Sequence, residues 1–355
     1  GPSNVSDQVM RALALPTIGH LDRRFIAIMD DVKSMLQDLF GTKNALTMPI
    51  SGTGSAGMET CFVNIVERGD RVLILQNGVF GVRMADVAGR LGAEVDVVEF
   101  PWGTPVTIDR VEEAFAARTY KLVAVVHAET STGVRNPVEA IAPLVKNAGV
   151  LLLIDTVTSL GGIPVTVDEW GADAVYSGTQ KCLSCPPGLA PATFSEAYVS
   201  SMSKRETKVP NWYLDLSLLT SYWGGSKRAY HHTAPINMIY GLHAALTVLM
   251  DEGIDAVGRR HIDAHNYLAA ELERIGLELF VASDARLPML NAVSIPDGVD
   301  DAQVRSTLLN QYAIEIGAGL GPLAGKIWRV GLMGHTARRE NVDRLIEALG
   351  TVIVA

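Results

Sequence analysis

The sequence predicts an α/β fold: a large unit built on a mostly parallel sheet flanked by helices, then a smaller α+β unit. Two patterns carry that expectation. Between about residues 40 and 200, short apolar runs alternate with helix-like stretches, at 71–75, 122–126, 150–155 and 174–176. Runs that are apolar throughout, too short for helices and spaced by helical segments, suit parallel strands covered on both faces. Past about residue 235 the rhythm changes, and an apolar-periodic stretch at 236–250 reads as a linking helix. Helical segments at 261–275 and 301–312 then flank short strands at 291–295 and 326–331, dividing the chain into 1–250 and 251–355. No repeat or low-complexity segment argues for a solenoid.

A chain of 355 residues is too long for one ordinary core and long enough for two such units. Hydrophobic residues at 48% and charged ones at 19% describe a globular protein rather than a disordered one. The net charge of -9, with no concentration of Lys and Arg, argues against nucleic acid as a partner. No run has the length and apolarity of a membrane span, and the amino end lacks the basic and apolar regions of a secretion signal. Gly1-Pro2-Ser3 has the composition of a trimmed end or a cloning scar. Three cysteines, Cys61, Cys182 and Cys185, make no disulfide framework, so a reducing, cytoplasmic location is expected.

Each apolar run ends in small or polar residues: Gln76-Asn77-Gly78, His127-Ala128-Glu129-Thr130, Thr156-Val157-Thr158-Ser159 and Ser177-Gly178-Thr179. These ends gather along one edge of the sheet, where α/β folds bind ligands. Upstream, Ser51-Gly52-Thr53-Gly54-Ser55-Ala56-Gly57 precedes a helical pattern, so its backbone donors and the Thr53 and Ser55 hydroxyls suit a phosphate at a helix amino end. Gly52, Gly54 and Gly57 also satisfy the dinucleotide fingerprint, but the next strand ends in Gln76 and Asn77 instead of an acidic ribose ligand. Phe80 follows a strand end, where its face could stack on a bound ring or simply pack in the core.

Asp155 closes the run Leu151-Leu152-Leu153-Ile154, and Lys181 ends Tyr176-Ser177-Gly178-Thr179-Gln180-Lys181 just past the next run. An amine for a Schiff base, an acid to keep a pyridine nitrogen protonated and a phosphate anchor are what a carbanion-stabilising cofactor asks of its protein. Singly, Asp155 could be a cap and Lys181 a solvated amine. Arg329 lies within a short apolar strand and needs a carboxylate, from a substrate or from an internal ion pair. Cys182 and Cys185 form CxxC and His127-Ala128-Glu129 an HxE, which raises a zinc-dependent deaminase as a rival, although Lys181 stands where that signature has proline. His231-His232 reads as packing, and no metal site is expected.

Together these residues resemble the fold-type I, class V aminotransferases, in the alanine:glyoxylate and serine:pyruvate branch. The likeness spans nearly the whole chain. It runs from Gly1-Pro2-Ser3-Asn4 and Ile18-Gly19-His20 through Ser51-Gly52-Thr53-Gly54, His127-Ala128-Glu129-Thr130-Ser131-Thr132-Gly133 and 155–161, to Ser177–Lys181 with Pro186-Pro187-Gly188, Tyr230-His231-His232-Thr233 and 328–334. It implies a seven-stranded, mostly parallel sheet, with residues 1–20 as an arm and substrate loop. It implies pyridoxal 5′-phosphate on Lys181, Asp155 on the ring nitrogen, and Thr53, Gly54, Ser55 and Gln180 on the phosphate. Phe80 and Val157 are expected on the two ring faces and Thr130 near the ring oxygen. Arg329 would bind the substrate carboxylate with Asn4 and Thr130 nearby, and Tyr230 and Thr233 would reach the neighbouring subunit's site in a homodimer.

The resemblance implies a ping-pong transaminase moving the amino group of alanine or serine to glyoxylate or pyruvate. One carboxylate-binding arginine and no second favour small donors. Phe80 stands where animal members often carry tryptophan, the chain starts at Gly1 with no arm expected before it, and Thr351-Val352-Ile353-Val354-Ala355 matches no peroxisomal address. A ureidoglycine:glyoxylate aminotransferase and a cysteine desulfurase are neighbours on the same fold, and Cys182 and Cys185 crowd Lys181 too closely for the mobile-loop thiol of a desulfurase. A binding protein that kept the fold without the chemistry is the remaining alternative.

Overall fold

The computed structural model describes residues 2–224 and 228–354, so Gly1 and Ala355 of the two terminal motifs lie outside the described residues. Strands β1 (Leu46–Ser51), β2 (Arg71–Gln76), β3 (Glu94–Glu99), β4 (Leu122–Val126), β5 (Ala128–Glu129), β6 (Val134–Arg135), β7 (Leu151–Asp155), β8 (Ala174–Tyr176) and β9 (Leu189–Phe194) run through the first part of the chain. Seven of them form one sheet in the order β1-β9-β8-β7-β4-β2-β3, while β5 and β6 form a separate short hairpin. The β8-β7-β4-β2-β3 run is parallel, and β9 is antiparallel to both of its neighbours, β1 and β8. β4 is buried at every residue, as its apolar run predicted, whereas β3, at the edge, alternates apolar and acidic residues and stays partly exposed.

Helices α1 (Asp7–Leu13), α2 (Arg23–Phe40), α3 (Gly54–Val63) and α4 (Val79–Arg90) begin the layers around this sheet. α2 starts on Asp22, whose carboxylate accepts from the Arg24 N–H, and stops at Gly41 in the left-handed conformation. It buries Phe25, Met29, Val32, Leu36 and Phe40, a stripe three or four residues apart. A helix at Ile236–Glu252 packs on α1 and α2, and the next, Ile254–Arg274, leads to a second core around Leu268, Trp328, Val330 and Leu345. There β10 (Leu290–Ser294), β11 (Gly317–Ala318) and β12 (Ile327–Gly331) form an antiparallel sheet in the order β10-β12-β11, covered by helices Asp301–Tyr312 and Arg339–Val354.

One turn ties these parts together. The Gly334 N–H donates to His261 Nε2 at 2.8 Å, and Arg260 donates to the Gly334 carbonyl at 2.8 Å. The neighbouring His335 N–H donates to Ser184 Oγ at 2.8 Å, and Ser184 Oγ lies 3.3 Å from Ser3 Oγ. Gly334 has φ 55°, and a Cβ there would sit 2.1 Å from Ser184 Oγ, so the turn demands glycine for both its conformation and its room.

Candidate active site

Strand order decides which side chains meet. Asp155 ends β7 and stands in register with Tyr176, the last residue of β8, so the two side chains share a face. Tyr176 Oη donates to Asp155 Oδ2 at 2.5 Å, and the Val157 N–H donates to Oδ1 at 2.7 Å. Burial pushes the Asp155 carboxyl up to about 6, opposed by these two hydrogen bonds and by the Lys181 charge. Burial likewise lowers the Lys181 ammonium. The loop after β8 carries the amine, and Ser3 fastens it from the chain's start: the Ser3 N–H donates to the Gln180 carbonyl at 2.9 Å and its hydroxyl to the Lys181 carbonyl at 2.7 Å.

α3 begins where the glycine-rich motif placed it. Its cap residue Thr53 makes no side-chain cap bond, and among the described residues the Gly54 and Ser55 N–H groups find no protein acceptor. Gln180 Oε1 is buried without a hydrogen-bond partner. Gly178 beside it has no side chain, and a Cβ there would come within 2.9 Å of that oxygen. A Cβ on Gly54 would press to 3.1 Å from Val157 Cγ2, so bare backbone faces Val157 at this end of the sheet. Free amides at a helix amino end, an orphaned buried amide whose reversed orientation presents its NH2, an amine and a buried acid together fit a phosphorylated pyridine aldehyde.

Phe80 is half-buried in the first turn of α4, with the Arg83 guanidinium 5.1 Å from its ring centroid. Thr130 is buried, and its carbonyl accepts from Arg329 Nη1 at 3.2 Å. Arg329 Nε donates to the Ala318 carbonyl at 2.7 Å. Among the described residues Arg329 has no carboxylate in ion-pair contact; backbone oxygens aim the guanidinium, and Glu129 acts on its charge from beyond contact range. It lines a polar cavity of about 230 Å³ with Ser3, Asn4, Glu315 and Arg344.

Tyr230 and Thr233 stand apart from this group. Both are exposed, with Tyr230 Oη 3.4 Å from Thr233 Oγ1 and the tyrosine ring 5.1 Å from that of His20. Instead of diverging, His231 and His232 bring their Nδ1 atoms within 2.8 Å, while His232 Nε2 lies 2.7 Å from Ser51 Oγ. His127 and Cys182 are turned to separate uses. His127 packs edge-on against Trp170, Cys182 Sγ donates to the Thr158 carbonyl, and among the described residues no group of three or more ligating side chains gathers.

Tyr176 and Glu129 were visible in motifs but not as site residues. The Tyr176 contact depends on β8 lying beside β7, which residue order does not state. Glu129 is fully buried and accepts from the Ser131 N–H at 3.0 Å, Ser131 Oγ at 2.6 Å and the Phe80 N–H at 3.2 Å. A buried acidic residue in a strand-end motif was the available signal.

The family model for class-V aminotransferases matches residues 4–345. An alanine–glyoxylate aminotransferase of Callithrix jacchus is 41% identical over 98% of this chain and 85% of its own length. A (S)-ureidoglycine–glyoxylate transaminase of Bacillus subtilis is 37% identical over 100% of this chain and 89% of its own. The solved structure of an alanine–glyoxylate aminotransferase from Nostoc superposes with a TM-score of 0.98 at 49% identity, covering 99% of this chain and 93% of that one. On the family model, these relatives and the shared fold, the chain belongs to the class-V aminotransferases, enzymes whose cofactor is pyridoxal 5′-phosphate.

Proposed function

We propose that this enzyme moves the amino group of alanine or serine to glyoxylate or pyruvate in a ping-pong cycle. The observation that carries the reading is Arg329, a partly buried guanidinium held by two carbonyls and in ion-pair contact with no protein carboxylate among the described residues. A substrate carboxylate supplies the contact partner, with Asn4 on the rim of the same cavity and Thr130 beneath. When bound, pyridoxal 5′-phosphate supplies a carbonyl for the substrate amine and a ring that accepts electrons from the α-carbon. Lys181 is its covalent anchor. Thr53, Gly54, Ser55 and Gln180 would hold its phosphate, Phe80 and Val157 would cover its faces, and Thr130 would lie near the ring oxygen.

Lys181 Nζ, once free, would take the α-proton and later return one, a role favoured by the burial that lowers its pKa. Asp155 holds its charge toward the ring nitrogen, fixed in place by Tyr176 Oη and the Val157 N–H. The buried Cys182 thiol, pushed up to about 12, is a poor nucleophile and does not support a desulfurase. The exposed Tyr230 and Thr233 suit a homodimer in which they enter the partner's site. We read 1–250 and 251–355 as the two domains, residues 1–20 as arm and substrate loop, and the three free buried thiols as belonging to a reducing cytoplasm.

A matrix of donors, ureidoglycine and glutamate included, against glyoxylate, pyruvate and 2-oxoglutarate tests the reading on purified protein. Turnover is expected with alanine or serine and glyoxylate or pyruvate. Dominant use of ureidoglycine or of a dicarboxylate would refute it.

A further inference from the structure

α4 opens on Gly78, a residue with no side chain to cap the helix, yet its first N–H groups lie in the protein interior and need acceptors. They find them on another segment. The Val79 N–H donates to Ser131 Oγ at 3.0 Å and the Phe80 N–H to Glu129 Oε2 at 3.2 Å. Glu129 Oε1 accepts in turn from the Ser131 N–H and hydroxyl, at 3.0 and 2.6 Å. All three groups on the carboxyl are donors, so the ionised form fits, and a negative charge at a helix amino end is favourable. Room for it comes from Gly78: a Cβ there would lie 2.3 Å from Glu129 Cδ and 2.5 Å from Ser131 Oγ.

We infer that Glu129 is a positioning residue, a cap supplied from the β5 strand that sets the first turn of α4 and so holds Phe80 against the cofactor ring. The inference rests on the proposed stacking of Phe80. Three observations carry it further than a packing role. Glu129 is fully buried and desolvation raises its carboxyl to about 7, so its ionised form depends on the donors gathered around it. The donors that favour that ionised form include the N–H of Phe80 itself. The adjoining Thr130 carbonyl holds Arg329, so three consecutive residues, Glu129 to Ser131, grip the helix of the ring-stacking side chain on one side and the substrate arginine on the other.

The test is a double-mutant cycle on the affinity of apoprotein for pyridoxal 5′-phosphate, read by quenching of tryptophan fluorescence, with visible circular dichroism of the bound chromophore as a second readout. Phe80→Ala is expected to raise Kd roughly fivefold, the scale of one aromatic stacking contact. Glu129→Gln is expected to raise it by about the same factor and to alter the dichroism, because the amide keeps the volume and offers NH2 to groups that are themselves donors. Since both act through one ring, the double variant should stay near the larger single effect, well short of their product. Ser131→Ala, which removes one hydroxyl, reads the same cycle if Glu129→Gln does not fold. A wild-type Kd and dichroism in Glu129→Gln, or fully multiplicative effects, would overturn the inference while leaving the stacking reading intact. An unchanged Kd in Phe80→Ala would remove both.

Discussion

Burial acts on the two central groups in opposite senses, raising the Asp155 carboxyl and lowering the Lys181 ammonium, so in each it favours the neutral form and neighbours oppose it. For Asp155 those neighbours are Tyr176 Oη and the Val157 N–H. Tyr176→Phe leaves one of two donors, and we expect it to raise the Asp155 pKa further and to cost about 1–3 kcal/mol of stability, measured by urea unfolding of the apoprotein. Wild-type stability in that variant would mean the short contact contributes nothing. Lys181→Ala is expected to fold normally and to lose turnover by roughly 10³-fold or more, followed as oxo-acid formation. Retention of full activity would displace Lys181 from its role.

The amino end of α3 offers a sharper test of an element than of any one group. Gly54→Ala brings a methyl to 3.1 Å from Val157 Cγ2, on the face where the cofactor is proposed to lie. Its backbone is ordinary, and alanine is preferred over glycine in helices by about 1 kcal/mol. Cofactor affinity should therefore fall several-fold while the thermal midpoint of the apoprotein holds. A fall in both would indicate a packing fault. Among the elements, β2, β4, β7 and β8 were legible as apolar runs, and Asp155 and Lys181 as residues at their ends. β1 and β9 were not, because each carries a proline, Pro49 and Pro191, which normally argues against a strand. The two face each other in the β1–β9 register, where neither lost N–H is required by the other. β3 reads as a half-exposed edge, and the contacts of Tyr176 and Glu129 depend on strand order, which a linear pattern does not encode.

At the scale of the molecule, four buried groups shape how stability varies with pH. His127 and His261 are lowered by burial from 6.5 to about 3 and about 4, while Asp155 and Glu129 are raised from 3.8 and 4.5 to about 6 and about 7. The histidines stabilise the fold above about pH 6.5, and that contribution is lost as pH falls toward their folded values. The carboxyls contribute below about pH 4, and their share is lost as pH rises through 6 to 7. Between about pH 4.5 and 6 the two pairs oppose each other, so apoprotein stability should be nearly flat there and decline gently from about pH 4.5 to about 3, where the unfolded chain takes up to about one proton more than the folded one. Urea midpoints against pH check this, and a steep slope across the plateau would show that other groups dominate. For the proposed dimer, mixing Lys181→Ala and Tyr230→Ala subunits should restore up to about a quarter of wild-type activity, since a hybrid would hold one complete site. No recovery would place Tyr230 outside the partner's site. The turn at Gly334 has a further consequence. Because its missing side chain is what lets the opening segment, the lysine loop and the C-terminal sheet share one junction, a single methyl group there would act as a wedge among all three. Heat-sensitive loss of catalysis is then expected from a position that touches neither substrate nor cofactor.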